Sequence, residues 1–243
     1  MRGKFKESTI ATHIKTIKTV LNWAVDQEWL TKSPAKKIPT GSFRNRKNHR
    51  RITMEEYAKL LDACPNQEWR TIIALARIGG LRCPSELQQL RWSEIDWDGK
   101  WFLVRSPKTE HHDDHRERLV PLFPELRQEL ERLQTEGNEF VIQSFQGTSW
   151  VLYEMFQEIA ENAGLGKIKC PFRNMRRSRS NEVIRAFGSQ LESQWIGHSE
   201  GVMEDHYFEL EDEDFLKAAR TKTLHAESHA TGQQIEADGE FFR

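Results

Sequence analysis

Apolar side chains recur every three or four positions in the first part of the chain. From Ile10 to Val25 this spacing predicts an amphipathic helix whose opposite face carries lysines. Ser8 or Thr9 is placed to cap that helix, and Ser33, which precedes a proline, closes the segment. We therefore expect one long helix followed by a stretch rich in helix breakers.

The helical pattern restarts at Thr53. Thr53 and Glu56 have the spacing of a capping box, in which each side chain bonds the other residue's backbone N–H. Tyr57, Leu60 and Leu61 follow at the positions of a buried helix face.

Two further helices are predicted before residue 95. One runs through Ile72 and Ala76 and ends at the glycine pair 79–80. The next, opened by residues 83–86 (Cys-Pro-Ser-Glu), is short and has proline at its first position. Arg82 is then held just before a helix N-terminus.

Residues 101–104 and 118–121 have the composition of two strands, which a long polar loop joins into a hairpin. After Pro124 the pattern is helical nearly to the end of the chain. The predicted fold is mainly α with a small antiparallel β-sheet (α+β), arranged in two unequal parts.

The composition is that of a soluble globular protein. Of 243 residues, 30% are charged and 10% aromatic. No apolar run approaches the roughly 20 residues that span a bilayer. The three cysteines are odd in number and far apart, which does not indicate a disulfide framework. These features favour a reducing, cytoplasmic compartment.

The formal net charge of −1 conceals an uneven distribution of charge along the chain. Residues 1–51 carry 13 basic against 3 acidic side chains, whereas residues 52–243 carry 23 against 34. Residues 36–51, which we call the basic arm, hold seven basic residues and no acidic ones. Such an arm indicates contact with a polyanion, although a solvated charged segment has the same composition. The residues of the arm that are candidates for this contact are Lys36, Lys37, Arg44, Arg46, Lys47, Arg50 and Arg51.

Four stretches place basic side chains where the chain is predicted to turn. "GGLRCPSELQQLRW" contains Arg82, "VRSPKTEHH" contains Lys108, and "FRNMRRSRSNE" contains Arg176. "WIGHSEGVMEDHY" places His198 nine residues before Tyr207. In this order the stretches resemble the catalytic domain of the tyrosine recombinases, the phage-integrase family of site-specific DNA recombinases. The resemblance runs from about residue 53 to about residue 215.

The resemblance implies a role for each of these five residues. Arg82 and Arg176 match the arginines that hold the charge building on a phosphodiester, a task that suits planar guanidinium groups. Tyr207 matches the nucleophile, whose proton His198 helps to remove. Lys108 matches the general acid that protonates the departing 5′-oxygen. The alternatives are a surface arginine, a packed tyrosine and a solvated loop lysine.

One position departs from the family pattern. The box around Arg176 usually begins with histidine, and here Arg173 stands at that place. Arginine can donate hydrogen bonds to a phosphate but cannot act as a base near neutral pH. Proton transfer at that position would then pass to His198. Arg177 and Arg179 in the same box are further candidates for DNA contact.

The loop at residues 110–115, "EHHDDH", contains metal-ligand residue types. Consecutive side chains on a loop rarely converge on one ion, so a solvated loop near DNA is favoured. The resemblance implies chemistry without a metal or another cofactor.

By resemblance, residues 1–40 are the C-terminal part of a helical core-binding domain that is truncated, and 41–52 are a basic linker. Residues 53–215 form the catalytic domain, and 216–243 form a C-terminal helix or tail. The implied function is that of an integrase of mobile elements, which cuts and rejoins DNA through a 3′-phosphotyrosyl link. The implied partners are double-stranded DNA and three further copies of the chain, which form a tetramer on two duplexes.

Three other functions remain open from the residues alone. One is a catalytically decayed or truncated integrase that only binds DNA, for which the short N-terminus and Arg173 argue. Another is a type IB topoisomerase-like relaxase, which shares the cleavage step. The third is a metal-dependent nuclease built on residues 110–115.

Overall fold

The computed structural model describes residues 5–41, 48–106, 117–134, 137–145 and 149–198. These residues form seven α-helices and three strands. The elements are α1 (Glu7–Asp26), α2 (Met54–Asp62), α3 (Gln67–Arg77), β1 (Ile95–Asp96), β2 (Trp101–Arg105), β3 (Glu117–Pro121), α4 (Pro124–Leu133), α5 (Ser149–Asn162), α6 (Pro171–Phe187) and α7 (Ser189–Ile196).

Helix α1 confirms the first predicted helix but not its predicted cap. The helix already begins at Glu7, and the residue before it makes no side-chain cap bond. Ser8 and Thr9 therefore lie inside the first turn. The negative charge of Glu7 in the same turn stabilises the helix through its attraction to the positive end of the helix dipole. Trp23 on this helix is half exposed and packs edge-on against Trp29, with ring centroids 4.9 Å apart.

Helices α2 and α3 agree with the prediction. The Thr53 hydroxyl accepts the backbone N–H of Glu56 at 3.2 Å, and the Glu56 carboxylate accepts the N–H of Thr53 at 3.1 Å. Both halves of the capping box are thus formed, and Tyr57, Leu60 and Leu61 are buried. Helix α3 is buried along most of its length.

The predicted helix from Cys83 is wrong, because residues 81–90 form turns without an α-helix. The Glu86 N–H donates to the Arg82 carbonyl at 2.9 Å, and the Glu86 carboxylate accepts the N–H of Arg82 at 2.7 Å, so backbone and side chain close this turn together. The segment enters through Gly80 at φ +65°, where an added Cβ would lie 2.6 Å from Ile196 Cδ1. Only glycine fits there.

The predicted hairpin is confirmed as β2 and β3, which pair antiparallel with Phe102 opposite Val120. The short strand β1 adds to the other edge of β2 and completes a three-stranded sheet in the order β1-β2-β3. Phe102, Val104 and Val120 point into the core.

Helix α3 lies at the centre of the fold, in contact with α2, α4 and α6. Helix α7 packs on α6 and on β3, which brings its C-terminal end beside the turns at residues 79–91. Helix α5 completes the core with Leu152 and Phe156. The observed fold is therefore mainly α with one small antiparallel sheet, as predicted. Within the described ranges, no helix is long and apolar enough to cross a membrane.

Candidate active site

A buried carboxylate, Glu86, is the centre of the candidate site. Its side chain is fully buried and receives both terminal nitrogens of Arg118, at 2.8 and 2.6 Å. The hydroxyl of Ser106, at the end of β2, also donates to it. A buried carboxylate is stable only when it is paired and hydrogen-bonded, and these contacts meet that condition.

Arg82 lies on the same carboxylate and faces partly outward. Its Nη1 donates to Glu86 Oε1 at 2.7 Å and to Ser106 Oγ at 2.8 Å, and its Nη2 donates to the carbonyl of Gly197 at 3.0 Å. About a quarter of the side chain is exposed. Arg82 is therefore an oriented guanidinium that a ligand can reach.

Arg176 reaches the same place from α6. Its Nη1 donates to the carbonyl of Gly80 at 2.5 Å and its Nη2 to the carbonyl of Ile196 at 2.6 Å. Its Nη1 also lies 3.8 Å from Glu86 Oε2. The side chain is only 4% exposed, so these backbone groups fix its orientation.

His198 completes the cluster, just after the C-terminal end of α7. Its Nε2 lies 3.2 Å from Arg176 Nε, and its Nδ1 lies 2.6 Å from Glu192 Oε1. Gly197 before it has φ +79°, a conformation that favours glycine, and an added Cβ would lie 3.3 Å from Arg118 Cδ. The glycine thus allows the chain to turn the imidazole into the arginine cluster.

The electrostatics of the cluster follow from burial and from the arginines. Burial alone raises the pKa of Glu86, but the hydrogen bonds and charge of Arg118, with Arg176 and Arg82, hold that pKa well below its ordinary value. Burial lowers the pKa of His198 to about 4, although the hydrogen bond that Nδ1 donates to Glu192 raises that pKa. At neutral pH the site holds three guanidinium groups, the Glu86 carboxylate and a neutral imidazole.

The structure brings together three of the six predicted catalytic residues: Arg82, Arg176 and His198. Arg173 is exposed on the first turn of α6, one helical turn before Arg176. Lys108 and Tyr207 lie outside the described residues, as does the loop at residues 110–115. In the described ranges, no group of three or more potential metal-ligand side chains is close enough to hold an ion.

The predicted DNA-contacting residues occupy different environments. Lys36, Lys37 and Arg51 are exposed, whereas Arg50 is half-buried and forms an ion pair with Glu56. The remaining three basic residues of the arm, Arg44, Arg46 and Lys47, lie outside the described residues.

Arg177 and Arg179 lie inside the fold rather than on an exposed surface. Arg177 is 4% exposed, and Arg179 stacks over the ring of Phe123, with its guanidinium carbon 3.8 Å from the centroid, and pairs with Glu182. Both arginines have a packing role in this structure, and DNA contact by either stays a prediction.

Sequence analysis missed four residues that hold the cluster: Glu86, Ser106, Arg118 and Glu192. Glu86 had a local signal, since it lies four residues after Arg82 and can face it across a turn. The other three come from β2, β3 and α7, and their proximity depends on packing between distant segments.

Together these side chains form a site that suits a phosphate group. One partly exposed and two buried guanidinium groups carry more positive charge than Glu86 neutralises. Orienting bonds hold them before any ligand arrives, so little reorganisation accompanies charge development on a bound oxyanion. The site also holds a neutral imidazole beside the arginines, whose Nε2 accepts Arg176 Nε–H and helps to orient that guanidinium.

Comparison with known proteins identifies the family of this chain. The sequence pattern of the Phage integrase family matches residues 50–214. The Escherichia coli (strain K12) protein "Putative defective protein IntQ" is 29% identical over 98 residues, which are 40% of this chain and 24% of that protein. The match thus spans about a quarter of that relative's length.

Solved structures of the same fold are similar over most of the chain. A lambda integrase dimer bound to a COC′ core site has a TM-score of 0.62 at 18% identity, with 85% of this chain and 77% of that chain covered. The XerA recombinase has a TM-score of 0.59 at 17% identity, covering 91% and 86%. The Tn1549 transposon integrase in complex with transposon right end DNA has 0.65 at 15% identity, covering 89% and 80%. Since the family pattern matches well over half of the residues, and the fold agrees, this chain belongs to the phage integrase family of tyrosine recombinases.

Proposed function

We propose that this chain is a site-specific DNA recombinase, which cuts and rejoins strands through a 3′-phosphotyrosyl intermediate without a metal ion or ATP. The observation that supports this proposal is the convergence of three distant segments, in which Arg82 and Arg176 lie on the buried Glu86 carboxylate and His198 contacts Arg176. Membership of the phage integrase family gives that cluster its expected substrate, the DNA phosphodiester.

In the proposed reaction the arginines act on the phosphate. Attack on phosphorus builds negative charge on the two non-bridging oxygens, and oriented guanidinium groups stabilise this charge more than they stabilise the ground state. Arg82 is the accessible member of the pair, while the more enclosed Arg176 supplies charge from the floor of the site.

The remaining steps concern protons and the nucleophile. The Tyr207 phenol gives its proton to water and its oxygen bonds to phosphorus, while the bond from phosphorus to the 5′-oxygen breaks. Lys108 gives a proton to that 5′-oxygen. A 5′-hydroxyl of the partner duplex then reverses these steps and releases the tyrosine. The bond energy stays in the phosphotyrosyl link, so strand exchange needs no external energy source.

The proposed partner is double-stranded DNA, with four protomers on two duplexes during strand exchange, in the cytoplasm at the nucleoid. Residues 53–215 are proposed as the catalytic domain. Residues 1–40 and the linker at 41–52 would hold the duplex from its other side, and the exposed Lys36, Lys37 and Arg51 would contact phosphates. Residues 216–243 are proposed as a C-terminal helix or tail.

A second candidate function is DNA binding without strand cleavage. The observation that favours it is Arg173, which cannot replace the usual histidine in proton transfer near neutral pH. This candidate predicts salt-dependent binding by the basic arm with no covalent product.

A suicide-substrate trapping assay tests the two candidates. Nicked duplexes that carry candidate sites from the flanking genomic region are incubated with the protein in the presence of a chelator and separated on denaturing gels. We expect a protein–DNA band that Tyr207→Phe abolishes while DNA binding in a mobility-shift assay stays intact. Tyr153→Phe, which changes a tyrosine on α5, is the matched control and should retain the band.

Each other outcome has a distinct meaning. A band that persists in Tyr207→Phe contradicts the assignment of the nucleophile. Sound binding without a band favours the DNA-binding candidate. Relaxation of supercoiled plasmid without a specific site would identify a topoisomerase-like activity instead of strand exchange.

A further inference from the structure

A second buried carboxylate, Glu192, lies behind His198. It occupies the inner face of α7, one turn before Ile196, and is 0% exposed. An apolar residue could fill this position without the cost of removing a charge from water. An ionisable group in such a place is a candidate for a role in the adjacent site.

The contacts of Glu192 are directed at the imidazole. Its Oε1 lies 2.6 Å from His198 Nδ1 and accepts the hydroxyl of Ser180, a fully buried residue of α6, at 2.6 Å. The Ser180 bond fixes the carboxylate between α6 and α7. The carboxylate is therefore held in place independently of the histidine.

These contacts determine which ring nitrogen of His198 carries the proton. A carboxylate only accepts, so Nδ1 must donate to Glu192. Arg176 Nε only donates, so Nε2 must accept from it at 3.2 Å. The Ser193 hydroxyl donates to the His198 carbonyl at 2.8 Å and fixes the backbone. The imidazole is thus neutral and protonated on Nδ1, and the lone pair of Nε2 accepts Arg176 Nε–H.

We infer that Glu192 is a positioning residue, which holds His198 as the Nδ1–H tautomer so that Nε2 accepts Arg176 Nε–H and keeps that guanidinium oriented for a bound phosphate. This inference rests on the proposed function. In this tautomer the Nε2 lone pair is turned to Arg176, whereas a ring protonated on Nε2 would place two donors against each other. The carboxylate thus acts on the phosphate-binding arginine through the imidazole.

The charged groups that surround the imidazole set the expected pH dependence. Glu192 faces it from α7, Arg176 from α6, and Arg82 from the turns at residues 79–91. The carboxylate raises the pKa of His198, whereas burial and the two arginines lower it. Removal of the negative charge of Glu192 must lower that pKa further.

The first test measures the tautomer without DNA. The nitrogen-15 resonances of the His198 ring are recorded in the full chain and assigned by their loss in His198→Gln. We expect Nδ1 protonated and Nε2 unprotonated at pH 7, and loss of this single tautomer in Glu192→Leu, which keeps the volume but removes the acceptor. A ring protonated on Nε2 in the unaltered chain overturns the inference, whatever the activity.

The second test measures the rate of single-turnover cleavage of the suicide substrate against pH. In Glu192→Gln we expect a loss of roughly 10- to 100-fold at pH 7, by analogy with the carboxylates that orient metal-bound histidines. The acid limb of the profile should also move to lower pH. Glu161→Gln, an exposed carboxylate on α5, should change neither quantity. A rate loss with an unmoved acid limb means that Glu192 is only structural, and it overturns the inference.

Failure of the inference and failure of the proposed function give different results. If the unaltered chain makes no covalent product, the proposed function fails on that substrate, while the tautomer still decides whether Glu192 positions His198. If covalent capture succeeds and Glu192→Gln cleaves at the unaltered rate, the proposed function stands and the inference fails.

Discussion

Glu86 combines two roles that usually conflict, because it is fully buried and yet must remain charged. It neutralises part of the charge of Arg82, Arg118 and Arg176, and it orients Arg82 through both its backbone and its side chain. Removal of one partner from a buried ionic cluster leaves the others uncompensated. The carboxylate is therefore needed for folding as well as for the shape of the site.

We accordingly expect Glu86→Gln to lower the free energy of unfolding by about 3 to 5 kcal/mol, the range for a broken buried ion pair. The measurement is urea denaturation near neutral pH. Glu131→Gln is the matched control, because Glu131 forms an exposed pair with Arg127 at 2.7 Å. Its loss should cost less than about 0.5 kcal/mol. Equal losses in the two variants would contradict the central role of Glu86.

At the scale of single residues, the sequence predicted the motif residues of the site better than the residues that hold them in place. Arg82, Arg176 and His198 lie in short motifs with recognisable spacing, and the structure brings them together. Arg118 had no such signal, because a basic residue in a strand most often faces solvent. Its burial depends on Glu86, 32 residues away in the chain, which supplies the compensating charge.

At the scale of elements, the start of α2 links local and tertiary structure. Thr53 caps the helix, and the residue before it is tied to two other helices. The N–H of Ile52 bonds Ser178 Oγ at 2.8 Å, and its carbonyl accepts Arg77 Nε at 2.9 Å. The two bonds of Ile52 therefore fix the start of α2 relative to α3 and α6.

We expect Thr53→Ala to lower the free energy of unfolding by about 1 kcal/mol, because the N–H of Glu56 loses its acceptor in the capping box. Thr53→Ser keeps the hydroxyl and is the matched control, with a loss below about 0.5 kcal/mol. The measurement is the urea midpoint at unchanged slope. A serine variant as unstable as the alanine variant would show that the methyl group, and not the cap, is responsible.

The elements that sequence analysis predicted correctly are those with strong local signals. The capping box of α2 and the apolar alternation in β2 and β3 each lie within a few neighbouring residues. The turns at residues 81–90 contain two isolated backbone bonds of helical spacing, from Glu86 to Arg82 and from Gln88 to Pro84, which do not continue into an α-helix. The Glu86 side chain bonds two arginines there, one of them from β3, which no local pattern predicts. Strand β1 has two residues, too few to carry any alternation.

At the scale of the whole molecule, buried ionisable groups link stability to pH. His198 is neutral in the fold, because burial lowers its pKa to about 4, and it titrates near 6.5 once unfolded. Glu86, Glu129 and Glu182 are ionised in the fold, where hydrogen bonds from arginines hold their pKa values below the ordinary range despite burial. Both kinds of group make the fold sensitive to acid, but over different ranges of pH.

The two ranges can be separated by experiment. Between pH 6.5 and 4 the unfolded chain binds a proton at His198 that the folded chain does not, so stability falls as the pH falls through this window. The loss attributable to His198 is at most about 3 kcal/mol, from the size of the pKa difference. Below about pH 4.5 the carboxylates add a further loss, because the unfolded chain protonates them first.

We therefore expect His198→Gln to flatten the dependence of unfolding free energy on pH between 6.5 and 4.5, while the steeper loss below that range remains. The measurement is urea denaturation at half-unit steps of pH. The exposed His13, changed to Gln, is the matched control and should leave the curve of the unaltered chain in place. If His198→Gln and the unaltered chain have the same slope above pH 4.5, the imidazole is not held neutral in the fold. A ring already charged in the fold would carry a proton on Nε2 and could not accept Arg176 Nε–H, which would contradict the tautomer inferred for His198.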